Sequence, residues 1–180
     1  MDRKGDPAGG FIYEEDGGAD PPLDIVLVEP EIPGNTGSTA RTCAAIGASL
    51  HLVHPLGFDT DEAAVRRAGL DYWHLVDIHH YAGLDELEPL FRKRTCLFAS
   101  TKGQRLYNEV DMTGPCALVF GKETAGLSDE ILSRYSESVY RIPIRRTARS
   151  LNLSNAVAVI AFECMRQRAF AGLEITGRGI

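Results

Sequence analysis

The sequence predicts an α/β fold, with a mainly parallel sheet that carries helices on both faces. Three observations support this fold class. Short apolar runs rich in β-branched residues alternate with helical segments along most of the 180-residue chain. Some of these runs are apolar almost throughout, as in strands that are covered on both sides. Glycine-rich or polar turns follow two of the runs, which is where open α/β sheets bind small molecules.

The chain is predicted to form one domain between two tails. Residues 1–22 are rich in Gly, Pro and Asp, so we expect a flexible acidic tail. The alternating pattern fills residues 23–172, and residues 173–180 form a C-terminal tail. The net charge of −6 is concentrated near the N-terminus, because seven acidic and only two basic residues lie in 1–24. The domain itself is close to neutral, which neither demands nor excludes an RNA partner.

The composition predicts a cytoplasmic protein. No apolar run approaches the roughly 20 residues of a membrane-spanning helix. Residues 1–24 also lack the apolar core of a signal peptide. We expect buried, reduced thiols, because the cysteines lie far apart among apolar residues. They are Cys43, Cys96, Cys116 and Cys164.

The N-terminal half predicts a strand, a helix and a second strand. The nearly apolar run Leu23–Glu29 is the first strand. Asn35 is predicted to cap a helix that ends at Gly47. Ser49–His54 is the second strand, and a right-handed parallel crossover is the default connection. A short helix is then predicted at Phe58–Gly69.

The other predicted elements are shorter, except for a long final helix. The strands are Leu75–Ile78, Thr95–Ala99, Cys116–Phe120 and Ser138–Ile142, and the helices are Leu84–Phe91, Ser128–Tyr135 and Asn152–Phe170. The last helix is apolar on every side over Ala156–Phe162, whereas a surface helix has one apolar stripe. We therefore expect it to be covered by its own sheet and by a second subunit.

Common nucleotide, metal and hydrolase motifs do not match. Six residues separate Gly114 from Gly121, where a phosphate-binding loop has four, and Glu123 stands where Ser or Thr is required. No metal is predicted, since neither Cys nor an acidic cluster completes a tetrahedral set around the histidines. No Ser/His/Asp arrangement stands out.

Three polar segments remain, and each alone is a weak functional signal, because a helix cap or a glycine turn explains it. Taken together, their order and residue identities resemble those of the SPOUT (SpoU-type) RNA ribose 2′-O-methyltransferases. The matching residues are Asn35-x-Gly37-x-x-x-Arg41, Phe120-Gly121-Lys122-Glu123-x-x-Gly126-Leu127, and Ile142-Pro143 followed by Ser150-Leu151-Asn152-Leu153-Ser154-Asn155. Glu29–Gly37 and Arg67–Tyr72 look like the small single-domain branch, which methylates the wobble cytidine or uridine of tRNA.

The resemblance implies features that the periodicity does not predict. These are a deep trefoil knot in the C-terminal half, S-adenosyl-L-methionine as cofactor, and a homodimer formed through the last helix. Glu123 would anchor the loop at Gly121, where a missing Cβ would let the backbone approach the ligand. The implied cofactor-binding residues are Ala99, Gly121, Ile142, Ser150, Leu151 and Asn152.

The resemblance assigns catalysis to Arg41 and Asn35. Free arginine keeps its proton at ordinary pH, so Arg41 acts as a base only if its pKa is strongly lowered. Its other role is to stabilise a developing alkoxide or a neighbouring phosphate. Asn35 would orient Arg41 or a phosphate, or would only cap the helix. The predicted RNA contacts are Arg145, Arg146 and Arg149, with Lys102 and Arg66 behind them, although a solvated basic turn explains them too.

One position departs from the resemblance. Phe162 stands where the tRNA wobble enzymes lead us to expect a tyrosine that helps to hold the anticodon. A phenyl ring can stack but cannot donate a hydrogen bond. Methylation of another tRNA or rRNA site and a non-catalytic, knotted RNA-binding or assembly factor therefore stay open. An unrelated α/β nucleotide-binding enzyme is a third alternative.

Overall fold

The computed structural model describes residues 22–58 and 73–177. Seven strands lie within them: β1 (Leu23–Val28), β2 (Ser49–Val53), β3 (Ile78–Tyr81), β4 (Thr95–Ala99), β5 (Arg105–Leu106), β6 (Cys116–Phe120) and β7 (Val139–Arg141). They form one parallel sheet in the order β3-β2-β1-β6-β4-β7-β5. The predicted acidic tail lies outside the described residues, apart from Pro22. So does the predicted helix at Phe58–Gly69, apart from Phe58. Arg66 and the Arg67–Tyr72 segment lie outside them as well.

Helices cover both faces of this sheet, as predicted. The described residues contain α1 (Pro33–Ile46), α2 (Glu88–Phe91), α3 (Asp129–Arg134) and α4 (Leu153–Gln167). Successive side chains of a strand point to opposite faces. Ile25 and Leu27 therefore pack with α1 and α4. Val26 and Val28 pack with α2 and α3 on the other face. The α/β prediction is confirmed.

The central strands are those that the apolar runs predicted. β1 lies between β2 and β6, with Val26 level with His51 on one side and Val119 on the other. Every residue of β1 and β6 is buried. Among the described residues, no helix is both long enough and apolar enough to span a membrane.

Several local predictions are wrong. α1 begins at Pro33 with Ile32 as its N-cap, so Asn35 lies inside the helix and does not cap it. Proline suits a first helical turn, because its fixed φ is helical and it has no N–H to leave unpaired. The predicted end at Gly47 is confirmed, with the glycine in the left-handed conformation.

Two further errors concern weakly apolar segments. The strand predicted at Leu75–Ile78 begins only at Ile78, and Trp73–Leu75 forms a 3-10 turn. The first half of the helix predicted at Leu84–Phe91 is also a 3-10 turn, Leu84–Leu87. β5 was not predicted at all, since a strand of two residues has no recognisable period.

The last helix is covered on one side only. Val157, Ile160 and Ala161 are buried, but Val159 and Phe162 are 38% and 46% exposed. The sheet and α1 therefore cover only part of the apolar surface of α4. The four cysteines are free thiols, and three are buried as expected, whereas Cys96 is half-buried.

Two backbone segments approach each other closely in the C-terminal half. A Cβ on Gly103 would lie 2.7 Å from the carbonyl carbon of Tyr140, so the loop after β4 runs against β7. Such close backbone approach requires glycine. The trefoil knot that the resemblance implies stays a prediction.

Candidate active site

A cavity of about 490 Å³ opens at the carboxyl ends of β4, β6 and β7. Three loops form its walls: residues 99–102, residues 120–127, and residues 142–153 in part. The start of α1 completes the lining through Ile32 and Asn35. Its volume lies within the range of small-molecule sites in proteins. The carboxyl ends of parallel strands are also where α/β sheets bind ligands.

This cavity brings together residues that are far apart in the sequence. All six residues predicted to bind a cofactor line it: Ala99, Gly121, Ile142, Ser150, Leu151 and Asn152. Asn35, Lys102, Glu123 and Arg149 line it as well. Residues from all three matched motifs therefore meet at one place, the first motif contributing Asn35.

Gly121 is required here for a different reason from the one expected. A Cβ on Gly121 would lie 2.1 Å from the carbonyl carbon of Gly126 and 2.2 Å from the nitrogen of Leu127. No side chain fits at such distances. The missing Cβ thus lets the loop fold back on its own backbone, which shapes the cavity wall.

Glu123 joins the cavity loop to the start of α1. Its Oε2 accepts a hydrogen bond of 2.8 Å from the backbone N–H of Glu31, and its Oε1 accepts from the N–H of Ile32. The N-terminal N–H groups of a helix have no partner within the helix. Ile32 has no side chain that can cap α1, so a carboxylate 91 residues away takes that place.

Asn35 stands between the other two motifs. Its Nδ2 donates to Glu123 Oε1 across 2.8 Å, and its Oδ1 accepts from Asn152 Nδ2 across 2.9 Å. Asn152 is the N-cap of α4 and accepts from the backbone N–H groups of Ser154 and Asn155. A continuous set of hydrogen bonds therefore links the starts of α1 and α4 through the cavity wall.

Arg41, the predicted catalytic arginine, does not line the cavity. It lies on α1 six residues after Asn35 and is exposed. This spacing places it roughly 9 Å further along the helix axis and about a third of a turn around it. The two predicted catalytic residues therefore share a helix but not a face.

The predicted RNA-binding residues fall into two groups. Arg149 and Lys102 lie at the cavity, whereas Arg145 and Arg146 are exposed outside its lining. Lys102 Nζ forms an ion pair of 2.6 Å with Asp129 Oδ1 at the start of α3. The hydrogen bond and positive charge of Lys102 lower the pKa of Asp129.

The sequence interpretation missed a second set of contacts beside the cavity. Lys122 Nζ lies 2.6 Å from Glu29 Oε2. The Glu31 carboxylate accepts from both the backbone N–H and the hydroxyl of Thr124. These acidic residues belong to the Glu29–Gly37 segment that matched the small-branch enzymes, but spacing alone does not identify their partners.

A buried polar cluster lies elsewhere, across β1, β2 and β3. Asp24 Oδ1 contacts His51 Nε2 at 3.0 Å, and His51 Nδ1 contacts the hydroxyl of Tyr81. Arg94 Nε donates to Asp24 Oδ2 across 2.6 Å. Burial alone would raise the pKa of Asp24, but the hydrogen bonds and charges of His51 and Arg94 outweigh it and lower the pKa.

None of the described residues forms a group of three or more His, Cys, Asp or Glu that is suited to hold a metal ion.

Comparison with protein families decides the assignment. The sequence profile of the SpoU rRNA methylase family matches residues 22–162. The chain belongs to this SpoU family. The match spans every strand described above, all of α1, and α4 as far as Phe162.

Individual SpoU relatives agree over most of the chain. A tRNA (cytidine(34)-2′-O)-methyltransferase of Saccharophagus degradans is 45% identical over 151 residues, covering 83% of this chain and 98% of the relative. A structure described as giving insights into the 2′-OH methylation of C/U34 on tRNA has a TM-score of 0.77 at 40% identity, covering 84% of this chain and 99% of its own. An AdoMet-bound rRNA methyltransferase from Sinorhizobium meliloti has a TM-score of 0.71 at 28% identity, covering 86% and 58%.

Proposed function

We propose that this SpoU protein transfers a methyl group from S-adenosyl-L-methionine to the ribose 2′-oxygen of nucleotide 34 of a tRNA. The observation that carries the proposal is the meeting of all three motifs at one cavity. The relatives named for methylation at position 34 share about 40–45% of their residues with this chain. Methylation of another tRNA or of an rRNA is the alternative, because the family description names rRNA.

The cavity suits S-adenosylmethionine in size and in chemistry. Its lining combines apolar side chains, Ile142 and Leu151 among them, with loop backbone that can form hydrogen bonds. We assign the holding of the cofactor to the six residues named above. When bound, S-adenosylmethionine supplies a methyl group on a positively charged sulfur, already activated for transfer.

The protein's task is then to position the ribose and to stabilise charge. In the transfer, S-adenosylhomocysteine would be the leaving group and the 2′-hydroxyl would give its proton to solvent. Glu123 lines the cavity, but three donors already occupy its carboxylate, so we assign it to holding the loop. Asn35 orients Arg41 or a phosphate of the RNA that accepts the methyl group. Arg41 stabilises the developing alkoxide or a nearby phosphate.

Nucleoside mass spectrometry tests the substrate assignment. Purified protein is incubated with S-adenosylmethionine and, separately, with total tRNA and total rRNA. We expect a new 2′-O-methylated pyrimidine in the tRNA, which RNase fragments place at position 34. If only the rRNA were modified, rRNA and not tRNA would be the substrate. Cofactor binding without transfer to either RNA would favour the non-catalytic factor.

Arg41→Ala tests the catalytic assignment. We expect methyl transfer to be abolished while the Kd for S-adenosylmethionine changes by less than about twofold, since Arg41 lies outside the cavity lining. Arg92→Ala, which removes another exposed arginine, is the matched control. Transfer by Arg41→Ala at the wild-type rate would refute the role.

We further propose that the protein is a cytoplasmic homodimer joined through α4. The exposed Val159 and Phe162 support this, because two large apolar side chains on one helix face favour burial against a partner. Phe162→Glu should shift the protein towards monomer in sedimentation equilibrium, whereas Arg92→Glu, at an exposed arginine outside α4, is the control. A wild-type monomer at micromolar concentration would contradict the dimer.

A further inference from the structure

Two segments that each contain a glutamate bind each other reciprocally between the cavity and α1. The first consists of Glu29 and Glu31, which precede α1, and the second of residues 122–124, which line the cavity. Glu123 accepts from the backbone N–H of Glu31, and Glu31 accepts from the backbone N–H of Thr124. We call this arrangement the carboxylate clamp.

The side chains of the clamp strengthen this exchange. Thr124 Oγ1 donates to Glu31 Oε1 across 2.9 Å, and Thr124 N donates to Glu31 Oε2 across 3.0 Å. Lys122 pairs with Glu29, whose backbone has a φ of 51°. Non-glycine residues rarely adopt this left-handed region, so the surroundings hold Glu29 there.

The clamp is a short mechanical connection between two parts of the site. On one side, Lys122, Glu123 and Thr124 belong to the cavity wall. On the other side, Glu31 and Ile32 lead directly into α1, which carries the predicted acceptor residues. A ligand that moves or orders the loop must therefore move or order the start of α1.

We propose that the carboxylate clamp couples occupancy of the cavity to RNA binding, with Glu31 and Thr124 as positioning residues. The inference rests on the proposed function, in which the cavity holds the methyl donor and α1 faces the RNA. Coupling of this kind is reciprocal, so a filled cavity changes RNA affinity by the same factor as bound RNA changes cofactor affinity.

The test measures this coupling without turnover. The Kd of the wild-type protein for the tRNA is compared with and without saturating S-adenosylhomocysteine, which has no methyl group to transfer. We expect a change of at least about fivefold for wild type. For Glu31→Ala and Thr124→Val, we expect less than about twofold. Thr124→Ser, which keeps the hydroxyl, and Glu130→Ala, which removes an exposed carboxylate of α3, should behave as wild type.

Hydrogen exchange separates failure of the clamp from failure of the proposed function. S-adenosylhomocysteine alone should slow amide exchange at residues 31–36 in wild type, but not in Thr124→Val. This measurement needs no RNA. Equal coupling in wild type and both variants, or none in wild type, would overturn the inference. Clamp-dependent exchange in a protein that methylates no RNA would overturn the proposed function alone.

Discussion

The amide of Asn152 donates to the amide oxygen of Asn35 across 2.9 Å, although 117 residues separate the two. The other end of the Asn35 amide donates to Glu123. Both functional ends of Asn35 are therefore engaged, which fixes its orientation. Since one residue from each motif takes part, the three motifs form a single hydrogen-bonded unit.

A double-mutant cycle measures this unit. Asn35→Ala removes one of the three donors to Glu123 and the acceptor of Asn152 Nδ2, and Asn152→Ala removes the second of these bonds together with the cap of α4. We expect each change to lower the free energy of unfolding by about 1–2 kcal/mol. We also expect a coupling energy of at least about 0.5 kcal/mol. Urea denaturation gives all four values, and strictly additive effects would contradict the link.

Gly121→Ala tests the close backbone contact in the cavity wall. The added Cβ meets backbone atoms of Gly126 and Leu127, which cannot rotate away. We expect a loss of about 3 kcal/mol, at the upper end for overpacking. Gly114→Ala is the matched control, since its Cβ meets nothing within 4 Å. Thermal melting compares the two, and equal melting temperatures would show that the loop can relax.

The basic turn after β7 is tested through the salt dependence of RNA binding. Arg145 and Arg146 are exposed and lie outside the cavity lining, so they are free to meet phosphates without touching the cofactor. Each Ala substitution should weaken RNA binding and lower the slope of log K against log salt concentration by about 1. Arg92→Ala is again the control. An unchanged slope would mean that these arginines contact solvent and not RNA phosphates.

Asp24→Asn tests the buried cluster. Arg94 would lose its charged partner, and we expect the free energy of unfolding to fall by about 3 kcal/mol at pH 7. Asp77→Asn, at a carboxylate that is 71% exposed beside His79, should cost less than about 1 kcal/mol.

The same variant predicts a pH dependence. Because folding lowers the pKa of Asp24 below its ordinary value of 3.8, its stabilising contribution is present above that pH and is lost as the pH falls through the lower, folded value. The stability difference between wild type and Asp24→Asn should therefore shrink below about pH 3.8. A difference that stays constant down to pH 2, measured by urea denaturation, would contradict this assignment.

The sequence is most informative where burial is complete. β1 and β6, which are buried throughout, coincide closely with the predicted strands because central parallel strands contain continuous apolar runs. The cavity residues were identified by a resemblance over three motifs, and spacing alone would not have grouped them. Asn35 was misread as a cap because asparagine is a common capping residue, whereas Pro33 already starts the helix.

The remaining features depend on contacts between distant segments. No local pattern indicates that Glu31 meets Thr124 or that Asp24 meets His51, because hydrogen bonds between loops have no period. Strand β3 was misplaced since its two histidines resemble a polar turn. The Sγ atoms of Cys116 and Cys164 lie 3.5 Å apart, although 48 residues separate them.

The cap that Glu123 gives to α1 has a consequence for synthesis on the ribosome. About 80–90 residues are synthesised between α1 and Glu123, which caps it. A similar length of chain separates β1 from β6, its neighbour in the sheet. The first strand–helix–strand unit therefore lacks both a helix cap and the neighbour of its central strand while most of the domain is being made. Pairings between such distant segments close long loops and form slowly. Chaperones that bind exposed apolar strands would therefore have most time to act on β1.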